Sequence, residues 1–160
     1  MIIAVDFDGT CVKHRFPYVG EPIGAEYVLR ELVENGHKLI LYTMRSHPLD
    51  GAGDKDLTSQ NLVPTKRDTL EDAIAWFKDN GLPLYGVNEN PSQHFWTQSP
   101  KAYANLYIDD AALGCPLKSD DEGNVFVDWV EVARRLHDDG YLTVRQLRDI
   151  LDKIESKEPF

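Results

Sequence analysis

Cysteine is scarce in this sequence, which also has neither a long apolar run nor an excess of positive charge. Its two cysteines, Cys11 and Cys115, are too few for a disulfide framework and lack the spacing of a metal site. No apolar run approaches the roughly 18 residues of a membrane span, and Met1 leads directly into a strand-like run rather than a signal peptide. We therefore expect a reduced, cytoplasmic protein without a membrane partner.

Basic residues are also few, since 17 Lys and Arg stand against 27 Asp and Glu and give a formal net charge of −10. Proteins that wrap an extended nucleic acid need a basic face, so this balance argues against that function. It does not exclude a small phosphorylated substrate, because the charge near the site decides there. A chain of 160 residues is long enough for one domain with its own hydrophobic core. We expect a single domain over residues 1–160.

Short apolar runs alternate with amphipathic stretches along the chain. The apolar runs predict strands at residues 2–5, 39–42, 84–87, 104–108 and 125–127. Apolar residues at helical spacing predict helices at 25–35, from 68 or 69 to about 80, at 129–137 and at 144–154. Strands that alternate with helices indicate βαβ units with parallel pairing. We therefore predict an α/β fold with a three-layer, doubly wound and mostly parallel sheet of about five strands.

Polar side chains follow three strands of this predicted sheet. They are Asp6 and Asp8 after the first strand, Thr43 after the second, and Asp109 and Asp110 after the fourth. The carboxyl ends of parallel strands share one edge of a sheet, where ligands bind in open α/β folds. Carboxylates this close repel one another unless a cation or a shared proton intervenes. Because Mg²⁺ prefers oxygen ligands, the pattern predicts a magnesium site at this edge.

Two cationic side chains accompany these acids. Lys101 precedes the fourth strand and must reach the edge from a helix or a loop. Arg45 lies two residues past Thr43, and a guanidinium group binds phosphate oxygens in a forked geometry. A nucleophilic carboxylate, a second carboxylic acid, a hydroxyl, a cation and acidic metal ligands are what phosphoryl transfer needs. We therefore expect Arg45 to contact a substrate, and a solvated loop residue without such a contact is the alternative.

The order of these residues resembles that of the haloacid-dehalogenase-like (HAD) phosphatases. The matching motifs are Asp6-Phe7-Asp8-Gly9-Thr10, Leu39 to Thr43, Lys101 and Leu106-Tyr107-Ile108-Asp109-Asp110. Larger members of that superfamily insert a cap domain after the first motif or between the second and third. Here predicted helices and strands largely fill those intervals, so the resemblance implies a small member without a separate cap domain and with at most a loop near Met44–Arg67. An open site of this kind suits exposed phosphoesters, or a homo-oligomer that supplies its own lid.

The resemblance implies a role for each acidic residue. Asp6 would attack phosphorus and form an aspartyl-phosphate, while Asp8 would protonate the leaving alcohol and then deprotonate the attacking water. The metal ligands would be Asp6, the backbone carbonyl of Asp8, and Asp109 or Asp110. The implied cofactor is Mg²⁺.

The resemblance also implies which groups hold the phosphoryl oxygens. Thr43 and backbone N–H groups near Gly9 and Met44 would donate to them, and Lys101 would offset the negative charge on Asp6 and the phosphate. The expected function is Mg²⁺-dependent hydrolysis of a small phosphomonoester. Two alternatives stay open: a catalytically idle domain that binds phosphate or metal, and a receiver-like signalling module, whose phosphorylated aspartate follows a middle strand.

Overall fold

Four short strands form the main sheet of the described residues, and all of them run parallel. In the computed structural model, which describes residues 1–48 and 67–156, they are β1 (Ile2–Val5), β2 (Lys38–Leu41), β3 (Leu84–Val87) and β4 (Leu106–Ile108). Their order across the sheet is β3-β2-β1-β4, and all neighbours pair in parallel. Most of the predicted loop near Met44–Arg67 lies outside the described residues.

Helices flank this sheet and begin at local capping signals. Those described are α1 (Ala25–Glu34), α2 (Thr69–Asp79), α3 (Trp129–Asp138) and α4 (Val144–Glu155). The Asp68 and Asp128 side chains accept backbone N–H groups in the first turns of α2 and α3, and Thr143 and Gln146 form a capping box at α4. These caps account for the starts of the helices predicted from the sequence. Within the described residues, no helix has the length and apolar character needed to cross a membrane.

A separate antiparallel hairpin consists of β5 (Leu117–Ser119) and β6 (Val125–Val127). The sequence predicted a strand at 125–127 as part of the main sheet, whereas the structure pairs it with β5 instead. No strand was predicted at β5, because its three residues carry no buried apolar pattern. The Val127 N–H donates to the Gly9 carbonyl at 2.9 Å, which attaches the hairpin to the loop that follows β1.

The two faces of the main sheet are covered differently. Ile3 faces the main hydrophobic core, to which all four described helices contribute. Ala4 and Ile40 face a smaller cluster that Ala104 completes, and no described helix contributes to it. The predicted α/β fold with parallel strands flanked by helices is confirmed. The three-layer, doubly wound sheet of about five strands is not confirmed, because four of the described strands form the sheet and the β3–β4 connection contains only a 3₁₀ helix at Gln93–Phe95.

Candidate functional site

Three carboxylates converge at the carboxyl ends of β1 and β4. The two strands are neighbours in the sheet, with Val5 paired to Ile108, so the residues that follow them meet. Ligand oxygens of Asp6, Asp109 and Asp110 all lie within 4.8 Å of one another. The sequence predicted these three side chains at one edge, and the structure brings them together. We call them the acidic cluster.

Thr10 and Gly9 join the two halves of the acidic cluster. The buried Thr10 hydroxyl donates to the Asp6 carboxylate at 3.1 Å and accepts the Asp110 backbone N–H at 3.0 Å. Trp129 fixes Thr10 in turn, because its Nε1–H donates to the Thr10 carbonyl at 2.6 Å. Gly9 has a φ of 79°, and a Cβ at this position would lie 2.4 Å from a carboxylate oxygen of Asp110. Only glycine therefore lets Asp110 approach this closely.

Asp6 and Asp110 bind protons more readily than ordinary aspartates do. The pKa of Asp6 is raised from 3.8 to about 7: burial is the largest cause and the neighbouring Asp109 and Asp110 add to it, while hydrogen bonds from the Phe7 N–H and from Thr10 act in the opposite direction. Burial and Asp109 also raise the pKa of Asp110. The donors are all carboxylate oxygens, a set that suits a hard divalent cation such as Mg²⁺. Such a cation would replace the protons and remove the repulsion.

Asp8 lies outside the acidic cluster and forms an ion pair with Arg45. The Arg45 Nε and Nη2 groups donate to the two Asp8 carboxylate oxygens at 2.7 and 2.8 Å. Arg45 is only 2% exposed, and its Nη groups also donate to the carbonyls of Pro17, Tyr18 and Thr69. Every guanidinium nitrogen is therefore engaged inside the protein. The expected contact between Arg45 and a substrate phosphate is not what this geometry supports, because its donors are already used.

The other groups expected to bind phosphate are Thr43 and the backbone N–H groups near Gly9 and Met44, and they differ in whether they already have hydrogen-bond partners. The Thr43 N–H donates to the Asn88 side chain at 2.7 Å, and its hydroxyl accepts the Arg45 N–H at 3.2 Å. The Met44 side chain is exposed. The Gly9 N–H donates to the Val12 carbonyl at 2.8 Å, so that group already has a partner.

Asn88 is a site residue that the sequence reasoning missed. It directly follows β3 with a φ of 54°, and its side chain fixes the backbone of Thr43 on the neighbouring strand end. Its available signal was its residue type, since asparagine adopts positive φ more readily than other residues with a side chain, apart from aspartate and histidine. Asn88 thus fixes the position of the residue that follows β2.

Lys101 lies on the face of the sheet that Asp6 shares, but the structure does not bring it to the acidic cluster. Its Nζ lies 5.5 Å from the centre of the Tyr107 ring. Tyr107 pairs with Ala4, and side chains alternate along a strand, so Ala4 and Asp6 project from the same face. Among the described residues, Lys101 forms no ion pair with a carboxylate. The Tyr107 hydroxyl donates to the Ala102 carbonyl at 2.6 Å and so holds the segment that carries Lys101.

Comparisons with known proteins identify a relative without naming an activity. No protein-family model and no curated protein sequence matches this chain. The chain is similar to the solved structure of a conserved protein from Bacteroides thetaiotaomicron, with 32% sequence identity and a TM-score of 0.61. The match covers 87% of this chain and 91% of the Bacteroides chain. This protein therefore belongs to the same family as the conserved Bacteroides protein.

Proposed function

We propose that this protein is a Mg²⁺-dependent phosphomonoester hydrolase of the HAD type, without a separate cap domain, that forms an aspartyl-phosphate on Asp6. The observation that carries the proposal is the acidic cluster, whose ligand oxygens lie within 4.8 Å of one another at the edge where β1 and β4 end. Asp6 alone of the cluster follows the central strand β1, between the ends of β2 and β4. The order of the motifs along the chain supports the same reaction.

The proposed chemistry proceeds in two displacements at phosphorus. Asp8 enters the first displacement protonated. An Asp6 carboxylate oxygen attacks phosphorus, the bond from phosphorus to the leaving oxygen breaks, and Asp8 gives that oxygen its proton. Water then attacks the phosphorus of the aspartyl-phosphate, Asp8 accepts its proton, and the bond to Asp6 breaks. The products are an alcohol and inorganic phosphate, and Asp6 and Asp8 return to their starting states.

Asp6, Asp109 and Asp110 fit a divalent cation because they present only carboxylate oxygens and two of them have a raised pKa. Bound there, Mg²⁺ would offset the charge of the cluster and polarise a phosphoryl oxygen. The Thr43 hydroxyl, at the end of β2 beside β1, would donate to a second phosphoryl oxygen. Lys101 would turn from the Tyr107 ring toward Asp6 when an anionic substrate is present.

A catalytically idle domain that binds metal or phosphate is the second candidate. One observation favours it: the Lys101 Nζ lies over the Tyr107 ring and not against Asp6. The strand order argues against a receiver-like module. In the flavodoxin-like order of receivers β1 lies between β2 and β3, whereas here it lies between β2 and β4.

A screen for released phosphate separates the two candidates. The purified chain would be incubated with Mg²⁺ and a panel of sugar phosphates, nucleotides, 3′- and 5′-phosphorylated oligonucleotide ends and p-nitrophenyl phosphate. We expect turnover of at least one substrate, and its loss when EDTA removes the metal. Mg²⁺ binding by calorimetry without turnover of any substrate would favour the idle domain. Full activity in excess EDTA would contradict the role of the acidic cluster.

A further inference from the structure

Arg45 occupies an unusual position for a residue in a loop after a strand. Its guanidinium carbon lies 4.8 Å from the centre of the Phe7 ring and 5.6 Å from that of Phe16. Together with its burial, these rings keep water from the charged group, so its donors must find partners in the protein. They do so in three separate segments: the motif after β1, the loop at residues 17–18 and the first turn of α2.

We propose that Arg45 is a positioning residue that fixes the direction of the Asp8 carboxylate, and that it does not bind substrate. This inference rests on the proposed phosphatase function. Asp8 can exchange a proton with a leaving group or with water only from within hydrogen-bond reach of it. Two charge-assisted hydrogen bonds to one planar group define the plane of the carboxylate as well as its place. The bidentate pair therefore sets where Asp8 can act.

The pair leaves Asp8 able to take part in chemistry. A carboxylate has about four acceptor sites, and the two Arg45 donors use one on each oxygen. One of the remaining sites can carry the proton that goes to a leaving oxygen, and in the second step it can accept the proton of a water molecule. Arg45 thus orients Asp8 without occupying its full capacity for hydrogen bonds.

The loop that carries Arg45 is itself held in place. The Ser46 carbonyl accepts the Thr69 hydroxyl at 3.0 Å and the Leu70 N–H at 3.2 Å, and the Ser46 N–H donates to the Thr69 hydroxyl. These bonds join the residue after Arg45 to the start of α2. Arg45 therefore connects Asp8 to the start of α2. This connection gives Asp8 the rigid support that a preorganised catalytic group needs.

A double-mutant cycle tests this role, with Arg45→Gln, Asp8→Asn and the double variant measured on the best substrate from the screen. If Arg45 acts through Asp8, Arg45→Gln should lower kcat by about 10- to 100-fold, part of the usual contribution of acid–base catalysis, while KM stays within about threefold. In the Asp8→Asn background, the same substitution should change kcat by less than about twofold. Arg45→Lys, which keeps the charge but loses the fork, should show the same dependence on Asp8.

Leaving-group dependence gives a readout that a loss of fold would not move. Across a series of aryl and alkyl phosphates, Arg45→Gln and Asp8→Asn should lower kcat in the same pattern. All assays would be run below the melting temperature of each variant, with Arg45→Lys carrying the test if Arg45→Gln does not fold. A rise in KM with kcat unchanged, or a loss that persists in the Asp8→Asn background, would overturn the positioning role. An inactive wild-type protein would instead overturn the proposed function, and this role with it.

Discussion

Asp6 and Asp8 lie two residues apart after the same strand, yet the fold surrounds their carboxylates with opposite charges. Asp6 lies with Asp109 and Asp110, and among the described residues none of the three forms an ion pair. Asp8 is held by the buried Arg45 through two short hydrogen bonds. The negative charge of the acidic cluster is therefore compensated only when a cation or protons bind. The charge of Asp8 is compensated by Arg45, a residue of the same chain.

This difference shows that neighbours in the sheet, and not the motif alone, decide what a carboxylate can do. The side chain of Asp6 meets the end of β4 because β1 and β4 pair directly. Asp8 lies beyond the strand, where the loop after β2 supplies Arg45. The two acids of one motif thus differ in role: Asp6 contributes to a candidate ligand site, and Asp8 is a group whose orientation the protein fixes.

The largest expected effect separates the two aspartates by chemistry. Asp6→Asn should reduce turnover by roughly 1000-fold or more, since an amide does not attack phosphorus and the loss of a nucleophile acts on this scale. Released phosphate measured with Mg²⁺ gives the result, with deamidation excluded by mass spectrometry. Asp149→Asn, on the exposed side of α4, is the matched control and should retain activity. Turnover of Asp6→Asn within about tenfold of the wild type would remove Asp6 from the role of nucleophile.

A second expected effect concerns the paired aspartate. Arg45→Ala leaves the Asp8 carboxylate without its partner in a largely buried setting. Breaking a buried pair on one side typically costs about 3–5 kcal/mol, so the free energy of unfolding should fall by about that amount. Urea unfolding measures it. The control is Arg145→Ala, since the exposed Arg145 faces Asp149 one helical turn away, and such pairs contribute little. Equal losses in the two variants would mean that the Asp8–Arg45 pair is not the stabilising contact its burial suggests.

The third expectation concerns the part of the pH dependence of stability that arises at Asp6. Burial raises the pKa of Asp6 from 3.8 to about 7, so between these values the folded protein keeps a proton that the unfolded chain has lost. In metal-free protein this stabilisation is complete below the unfolded value and disappears as the pH rises through about 7. At about 1.4 kcal/mol per pKa unit, its upper limit is about 4 kcal/mol.

Asp6→Asn provides the control for this pH dependence, because it removes the titrating group. In EDTA, the difference in unfolding free energy between Asp6→Asn and the wild type should therefore move in favour of the variant as the pH rises from about 4 to about 8. Urea unfolding at intervals across that range measures the difference. Parallel curves for the two proteins would show that burial does not perturb Asp6 in this way.

Much of the fold follows from local signals in the sequence. The helix α4 begins at a capping box formed by Thr143 and Gln146, which lie only three residues apart in the sequence. Strand β1 is an apolar run of four residues, and β2 has three buried apolar residues after the exposed Lys38. Strand β5 has no such signal, because its residues are exposed or half-buried and the strand exists only by pairing with β6. Local sequence cannot reveal a strand that depends on its partner.

The candidate site divides in the same way. Asp6, Asp109 and Asp110 were found because acids that follow parallel strands meet at one edge of a sheet. The partner of Arg45 was not, because Asp8 is 37 residues away and the pair depends on how the loop after β2 packs. The position of Lys101 depends on the Gln93 side chain, which donates to the Lys101 carbonyl and fixes that loop. Contacts of this kind arise only once the tertiary structure has formed.

The smallest expected effect concerns cation binding by the acidic cluster. Mg²⁺ should stabilise the folded protein by about 2.7 kcal/mol when present at about 100 times its dissociation constant, which thermal unfolding would show as a raised melting temperature. The shift should be larger at pH 8 than at pH 5, because protons on Asp6 compete with the cation at the lower pH. Asp110→Asn should reduce the shift, while Asp149→Asn should leave it unchanged. Ca²⁺ should also stabilise the protein but inhibit turnover, because its looser and higher coordination lets it engage a second oxygen of Asp6. Equal Mg²⁺ shifts in Asp110→Asn and the wild type would place the cation outside the acidic cluster. The negative charge of Asp6 would then be compensated by protons alone, and that of Asp8 by Arg45.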